Sequence, residues 1–213
     1  MTNLPIFISY HTGDSYYSSC AENLVSNIRS LGGEIIMEKV TDTGYYWKNT
    51  LKKPGFILSK MDELKRDLIW IDADTNIFGY TDCMKKWESD ILFASHTGDI
   101  HGIKASPMGI KYSEKTLGFF KKFSDLCNHK IESNELDLDH DVLKYELLPD
   151  YKEKISLEIL GCEGVPSDYT DGKYIRNGIS RGINKGREVH SVTLKNSTRD
   201  LKFRMLSLND FTI

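Results

Sequence analysis

The sequence predicts an α/β protein with a mostly parallel sheet wrapped by helices, and two observations predict it. The first is the order of apolar runs. Strand, helix, strand, helix and strand follow one another within about 75 residues, the alternation a parallel sheet needs because each crossover passes through a helix. The second is Leu68-Ile69-Trp70-Ile71, an apolar run without polar alternation, which suits a strand covered on both faces.

Each element has its own signal. Pro5 to Tyr10 reads as a buried strand that opens into the polar turn His11-Thr12-Gly13-Asp14-Ser15. Cys20, Leu24, Ile28 and Leu31 recur at helical spacing, and Gly32-Gly33 stops that helix. Glu34 to Val40 is the second strand. Asn49-Thr50 is expected to cap a helix with Phe56, Ile57 and Met61 on its inner side. Further on, Asp90 to Ala94 and Met108 to Tyr112 read as strands. Ser113 to Cys127 reads as a helix with Leu117, Phe120, Phe123 and Leu126 inward, and Asp141 to Leu148 as a helix stopped near Pro149. The segment 173–187 carries three glycines among five basic residues and is expected to be a mobile basic loop.

The chain has 213 residues, with 28 Lys and Arg against 31 Asp and Glu, a formal charge of −3. That length suits one core, and the expectation is a single domain over 1–213, with a nucleotide-binding half (1–80) and an acceptor-side half (81–213). A charge this close to zero argues against broad phosphate neutralisation, so nucleic acid is not an expected partner. No apolar run reaches membrane-spanning length, and the N-terminus has no secretory pattern, so a cytoplasmic location is expected. Cys20, Cys83, Cys127 and Cys162 lack metal or redox spacing and are expected to be buried small hydrophobes.

In a parallel sheet the ligand lies outside the carboxyl ends of the strands. Three loops should therefore meet in one crevice: those after Tyr10, around Thr41-Asp42-Thr43-Gly44, and after Ile71. The third holds Asp72-Ala73-Asp74. Two carboxylates two residues apart on a strand share a face and repel unless a cation lies between them. Their hard oxygens suit Mn²⁺ or Mg²⁺. A solvated turn using aspartate for local hydrogen bonds explains the same pattern.

The stretch from Gly44 through Asn49-Thr50, Lys53-Pro54 and Phe56-Ile57 to Leu68–Asp74 resembles small GT-A glycosyltransferases of the nucleotide-diphospho-sugar transferase type. Phe7 to Thr12 looks like that family's first strand and nucleotide loop. Leu138-Asp139-His140-Asp141-Val142-Leu143 resembles the Asp-Gln-Asp-x-Leu motif of glycogenin-related retaining enzymes, with His140 in place of Gln. Glu188-Val189-His190-Ser191 resembles their C-terminal histidine segment. As a whole the chain is similar to the glycosyltransferase domain of large algal (chlorella-type) viruses, where such enzymes build glycans on the capsid protein.

The resemblance implies a GT-A (Rossmann-like) fold with a mixed, mostly parallel sheet. It implies transfer of a hexose or deoxyhexose, rhamnose among the options, from a UDP-sugar to a glycan or glycoprotein acceptor, a viral capsid protein included. If the chain is viral, the location is the host cytoplasm. Asp74 and His190 are the expected metal ligands, and Asp72 binds the metal or holds ribose and a metal-bound water. Ser9, Tyr10 and Thr12 are expected at the nucleotide. Asp42 either accepts from the uracil N3–H or is a turn residue. Lys53 either reaches a donor hydroxyl or phosphate or is a solvated lysine. Asp139, His140 and Asp141 are the expected catalytic group, with Asp90 a partner for sugar hydroxyls, and the Asp-Gln-Asp likeness favours retention. The basic loop 173–187 is either a lid over the diphosphate or a surface loop. A sugar nucleotidyltransferase and a non-catalytic metal- or carbohydrate-binding module are the rivals. The first normally has a basic glycine-rich loop after its first strand, and His11-Thr12-Gly13-Asp14 lacks the Lys or Arg.

Overall fold

A computed structural model of the chain describes residues 5–77, 86–95, 102–151, 153–160 and 175–177. The expected alternation is present: β1 (Ile6–His11), α1 (Ser15–Ser30), β2 (Ile35–Lys39), α2 (Tyr46–Leu51), α3 (Lys53–Leu64) and β3 (Leu68–Trp70). A short β4 (Thr75–Ile77), then β5 (Ile91–Ser95), β6 (Ile103–Ile110) and α4 (Glu114–Ser133) follow. Next come α5 (Asp139–Asp141), a π-helical segment (Val142–Leu147), α6 (Leu148–Tyr151), β7 (Leu157–Leu160) and β8 (Ile175–Asn177).

Six strands form one sheet in the order β2-β1-β3-β6-β5-β7. The β1–β2, β1–β3 and β5–β7 pairs are parallel, and only β6 runs against its neighbours. The sheet is therefore mixed and mostly parallel, as expected. Side-chain alternation sends β1 to both faces. Phe7 packs with Ile69, Leu24 and Ile28 on the α1 side. Ile6 and Ile8 pack with Trp70, Ile57, Met61 and the Phe119, Phe120 and Phe123 cluster on the other side. Apolar residues buried on both faces explain why β3 shows no alternation in sequence.

Several local expectations change. Asn49 and Thr50 lie inside α2 and cap nothing; α3 begins separately at Lys53, with Pro54 in its first turn, where the missing N–H costs little. On α4 the buried face is Thr116, Phe119, Phe120, Phe123, Ser124 and Cys127, and Leu117 and Leu126 only flank it. Ser113 caps that helix, its Oγ accepting from Thr116 N at 3.2 Å. Pro149 does not end the last helix. The π-helical turns shift the hydrogen-bond register, and Pro149 stands second in the new turn of α6, where no N–H is needed.

Within the expected loop 173–187, residues 175–177 form β8, antiparallel to β4. The other positions of that segment lie outside the described residues. Cys127 is buried, Cys20 is only half-buried, and Cys83 and Cys162 lie outside the described residues. Among the described residues no helix is long and apolar enough to cross a membrane.

The shifted face of α4 gives a direct prediction. Phe123→Ala empties a fully buried site and is expected to cost about 3–5 kcal/mol, whereas Leu117→Ala should cost about 1 kcal/mol, measured by urea unfolding.

Candidate active site

Because β1, β2 and β3 are parallel, their carboxyl ends share one edge of the sheet. The pairing continues past the strands, with Val40 N–H donating to His11 O at 2.9 Å and Ile71 N–H to Ile8 O at 3.2 Å. The three loops expected to converge do start at this edge.

The centre of the edge is Lys53, the first residue of α3 and only 5% exposed. Its ammonium lies 2.6 Å from Asp139 Oδ2 and 3.0 Å from Asp72 Oδ1, and donates to Ala105 O at 3.4 Å. An ammonium has three donors, and these three protein oxygens surround it, two as ion-pair partners and one as a hydrogen-bond acceptor. A cation at a helix N-terminus is placed against the helix dipole, and burial also disfavours its charge. Burial is the largest single influence and pulls the Lys53 pKa down, but the Asp139 and Asp72 carboxylates outweigh it and hold Lys53 above the usual lysine value.

Asp139 is 4% exposed and opens α5, where the dipole favours a carboxylate. With two carboxylates around one ammonium, the centre carries a net charge of about −1, which suits a cation or a developing positive charge.

Asp72 and Asp74 lie past the end of β3 in a turn closed by Thr75 N–H donating to Asp72 O at 3.0 Å, so the two-residue strand period does not govern them. Asp72 Oδ1 also accepts from Trp70 Nε1 at 3.0 Å, and its backbone N–H donates to Ser106 Oγ at 2.8 Å. Both Ala105 and Ser106 sit in a β-bulge, since the β5–β6 register jumps from Phe93↔Met108 to Ala94↔Lys104. The bulge turns β6 backbone and side-chain groups toward the site. Asp74 is half-buried on the α1 side, where its charge helps raise the Cys20 thiol pKa, behind burial as the main cause. Next to this acidic turn, β8 pairs Asn177 with Thr75.

An aromatic floor supports the centre. Tyr10, Phe56 and Trp70 have ring centroids 5.2 to 5.9 Å apart, and Lys53 Nζ lies 5.4 Å from the Trp70 ring. The Tyr10 hydroxyl donates to Asn49 O at 2.6 Å. Burial pushes its pKa well above the ordinary value, with Lys53 opposing, so the phenol stays neutral.

Asn49 organises the loop after β2. Its Oδ1 accepts from Thr43 N at 3.0 Å and Thr43 Oγ1 at 2.8 Å, while Nδ2 donates to Asp42 Oδ1 at 2.8 Å. Gly44, at φ +77°, donates its N–H to the same Asp42 oxygen at 2.9 Å. Asp42 is therefore an Asx-turn residue in this loop. The hydroxyl of Thr12 donates to Asp14, the N-cap of α1, at 2.9 Å. Ser9 is fully buried, and its Oγ has no hydrogen-bond partner among the described residues.

The structure thus brings Lys53, Asp72 and Asp139 into direct contact and sets Tyr10 beside them. His140 and Asp141 follow on α5, with His140 Nε2 3.9 Å from Asp141 Oδ1. Asp90 is a correction. It precedes β5, whose first residue pairs with Ile110 as Leu68 does, so it belongs to the opposite edge of the sheet. There its Oδ2 accepts from Ser156 N at 2.8 Å and Ser156 Oγ at 2.9 Å, which ties β5 to β7 and puts it out of reach of the Lys53 centre. His190 lies outside the described residues. Sequence reasoning missed Trp70, Ala105 and Ser106 as site residues. An apolar strand gives no sign that its tryptophan bonds a carboxylate two residues on, and the bulge has no signature in sequence.

The fit of the residues to a divalent cation is judged from the donors. Asp72 Oδ1 is engaged by Lys53 and Trp70, and its side chain is 39% exposed, leaving Oδ2 for a ligand. Carboxylate oxygens of this kind fit Mn²⁺ or Mg²⁺. Among the described residues no group of three or more His, Cys, Asp or Glu side chains forms a ready-made metal cage.

The ion pairs make a stability prediction. Lys53→Met leaves Asp139 buried without its partner and should cost about 3–5 kcal/mol in urea unfolding, while Lys53→Met/Asp139→Leu should recover most of that loss. The same lysine fixes a pH window. A raised lysine pKa contributes stability that is whole below about pH 10.4 and is lost as pH rises through the folded value, so alkaline unfolding should be steeper in the wild type than in Lys53→Met.

No protein-family model matches the sequence, and no curated protein matches it. Solved structures do match. One is a glycosyltransferase involved in the glycosylation of the major capsid of PBCV-1, with a TM-score of 0.55 and 11% identity over 75% of this chain and 82% of that one. Another is the glycosyltransferase GlyE of Streptococcus pneumoniae TIGR4, with a TM-score of 0.52 and 14% identity over 90% of this chain. The match spans about half, 52%, of the GlyE chain. In its mixed, mostly parallel six-stranded sheet flanked by helices, this chain has the GT-A-like fold of these glycosyltransferases.

Proposed function

We propose that this chain is a metal-dependent glycosyltransferase that moves a hexose or deoxyhexose, rhamnose among the options, from a UDP-sugar to a glycan or glycoprotein acceptor, with retention. One observation carries the reading: a buried Lys53–Asp139–Asp72 centre stands at the carboxyl edge of parallel strands in a fold shared with glycosyltransferases. Ligands of such sheets bind at that edge.

Asp72 and Asp74 would hold Mn²⁺ or Mg²⁺, with His190 completing the protein ligands. When bound, the cation supplies Lewis-acid stabilisation of the diphosphate that leaves the sugar. The chain's own residues do the rest. Lys53 fixes the two carboxylates and limits the negative charge at the centre to a level that tolerates an incoming diphosphate. Asp139, desolvated and aimed by Lys53, stabilises positive charge developing on the sugar ring and accepts from its hydroxyls. His140 and Asp141 extend that surface toward the acceptor. Tyr10 and the Asn49-ordered loop wall the nucleotide side, with Ser9 and Thr12 on the strand and loop beneath it. Residues 175–177 pair with β4 beside the acidic turn, and a lid role for 173–187 is part of the proposed reading. A viral capsid protein is the acceptor that the PBCV-1 neighbour suggests.

A screen of UDP-, GDP- and dTDP-sugars for nucleotide release tests this. The expected result is release from a UDP-sugar that needs Mn²⁺ or Mg²⁺ and falls at least ~100-fold in Asp74→Ala. Absence of release from every donor, or full activity in Asp74→Ala, contradicts the proposal.

A further inference from the structure

Lys130 stands in the last turn of α4 with its side chain 13% exposed. Its ammonium meets three carboxylates: Glu135 Oε2 at 2.6 Å, Asp137 Oδ2 at 3.0 Å and Glu146 Oε1 at 2.9 Å. Two of them precede Asp139 in the chain by four and two residues, and the third follows it by seven. The loop between is wound tightly around the lysine. Asn134 ends α4 in the left-handed region at φ 57°, Glu135 N–H donates to Lys130 O at 3.0 Å, and Ser133 Oγ donates to Glu135 Oε1 at 2.8 Å.

Exposed ion pairs taken singly hold little. Three carboxylates on one ammonium differ, because the chain must pass through all three contacts at once. The need for such a clamp is local. Leu138, the N-cap of α5, offers no side-chain hydrogen bond, so capping does not hold the start of the helix that carries Asp139. Immediately after α5 the helix widens into π turns, a geometry often found beside functional groups, and Glu146 lies within them.

We infer that Lys130 is the positioning residue for the Asp139 carboxylate, pinning the chain on both sides so that Asp139 meets Lys53. Its kinetic consequence rests on the glycosyltransferase reading of the site, while its structural consequence does not. Lys130 touches neither Lys53 nor Asp72 in any ion pair among the described residues and acts only through the segment 135–147.

The test compares full-length wild type with Lys130→Met, Lys130→Arg and Glu146→Gln. Two readouts are used: turnover of the fastest donor among UDP-glucose, UDP-galactose and UDP-rhamnose with Mn²⁺, and amide hydrogen exchange. Lys130→Met should lower kcat about 10–100-fold with the donor KM within about threefold, and Lys130→Arg should restore most of it. Exchange at 139–142 should quicken at least ~10-fold in Lys130→Met while β1 stays protected. Glu146→Gln, which removes one arm, should show smaller changes of the same sign and decides the matter if Lys130→Met does not fold. Unchanged kcat, a rise confined to KM, or unchanged exchange at 139–142 overturns the inference. If wild type turns over none of the three donors, the functional reading fails separately, and the exchange result alone decides whether Lys130 is the clamp.

Discussion

A single buried ammonium sets the terms for this molecule. Lys53 has lost nearly all contact with water and sits where the α3 dipole opposes its charge, so it persists only because Asp139 and Asp72 stand against it. The dependence runs both ways. Asp139 is buried as deeply and needs the lysine, so the start of α3, the end of β3 and the start of α5 must arrive together. Three segments distant in sequence are locked to one point of the sheet edge.

The remaining architecture delivers those segments. Parallel pairing of β1 with β2 and β3 puts their following loops side by side. The bulge in β6 supplies the Ala105 carbonyl and the Ser106 hydroxyl, which finish the hydrogen bonding of Lys53 and of the Asp72 backbone. Tyr10, Phe56 and Trp70 form an apolar, quadrupole-bearing floor under the ammonium, and Tyr10 ties that floor to Asn49 and the loop after β2. Charge, packing and backbone geometry agree at this edge, and at the opposite edge Asp90 bridges to Ser156.

Much of this was legible in the residues. Alternating apolar runs disclosed the α/β order, and Leu68–Ile71 disclosed a doubly covered strand, because periodicity reports burial directly. The residues mark Asp72, Lys53 and Asp139 as separate contacts to a ligand; that they bind one another is a tertiary fact with no local trace. Asp42 illustrates the reverse. Its turn geometry with Gly44 is a local property, and the loop shows it. On α4 the spacing points Phe120 and Phe123 inward as found, but the buried stripe is completed by Thr116, Phe119 and Cys127, so Leu117 and Leu126 only flank it. Residue type alone puts Asp90 near the sugar, and strand direction moves it to the other end. Pro149 looked like a stop because proline usually is one, and a π-helical register shift, invisible in sequence, lets the chain continue.

The proposed transfer requires this edge to hold a divalent cation and a nucleoside diphosphate as one unit. Calorimetric titration of UDP into the full-length protein, with and without Mn²⁺, tests it most directly. Binding that tightens at least ~10-fold when Mn²⁺ is present is the expected result, since each supplies ligands to the other. UDP affinity that is absent under both conditions, or indifferent to the cation, would contradict the account.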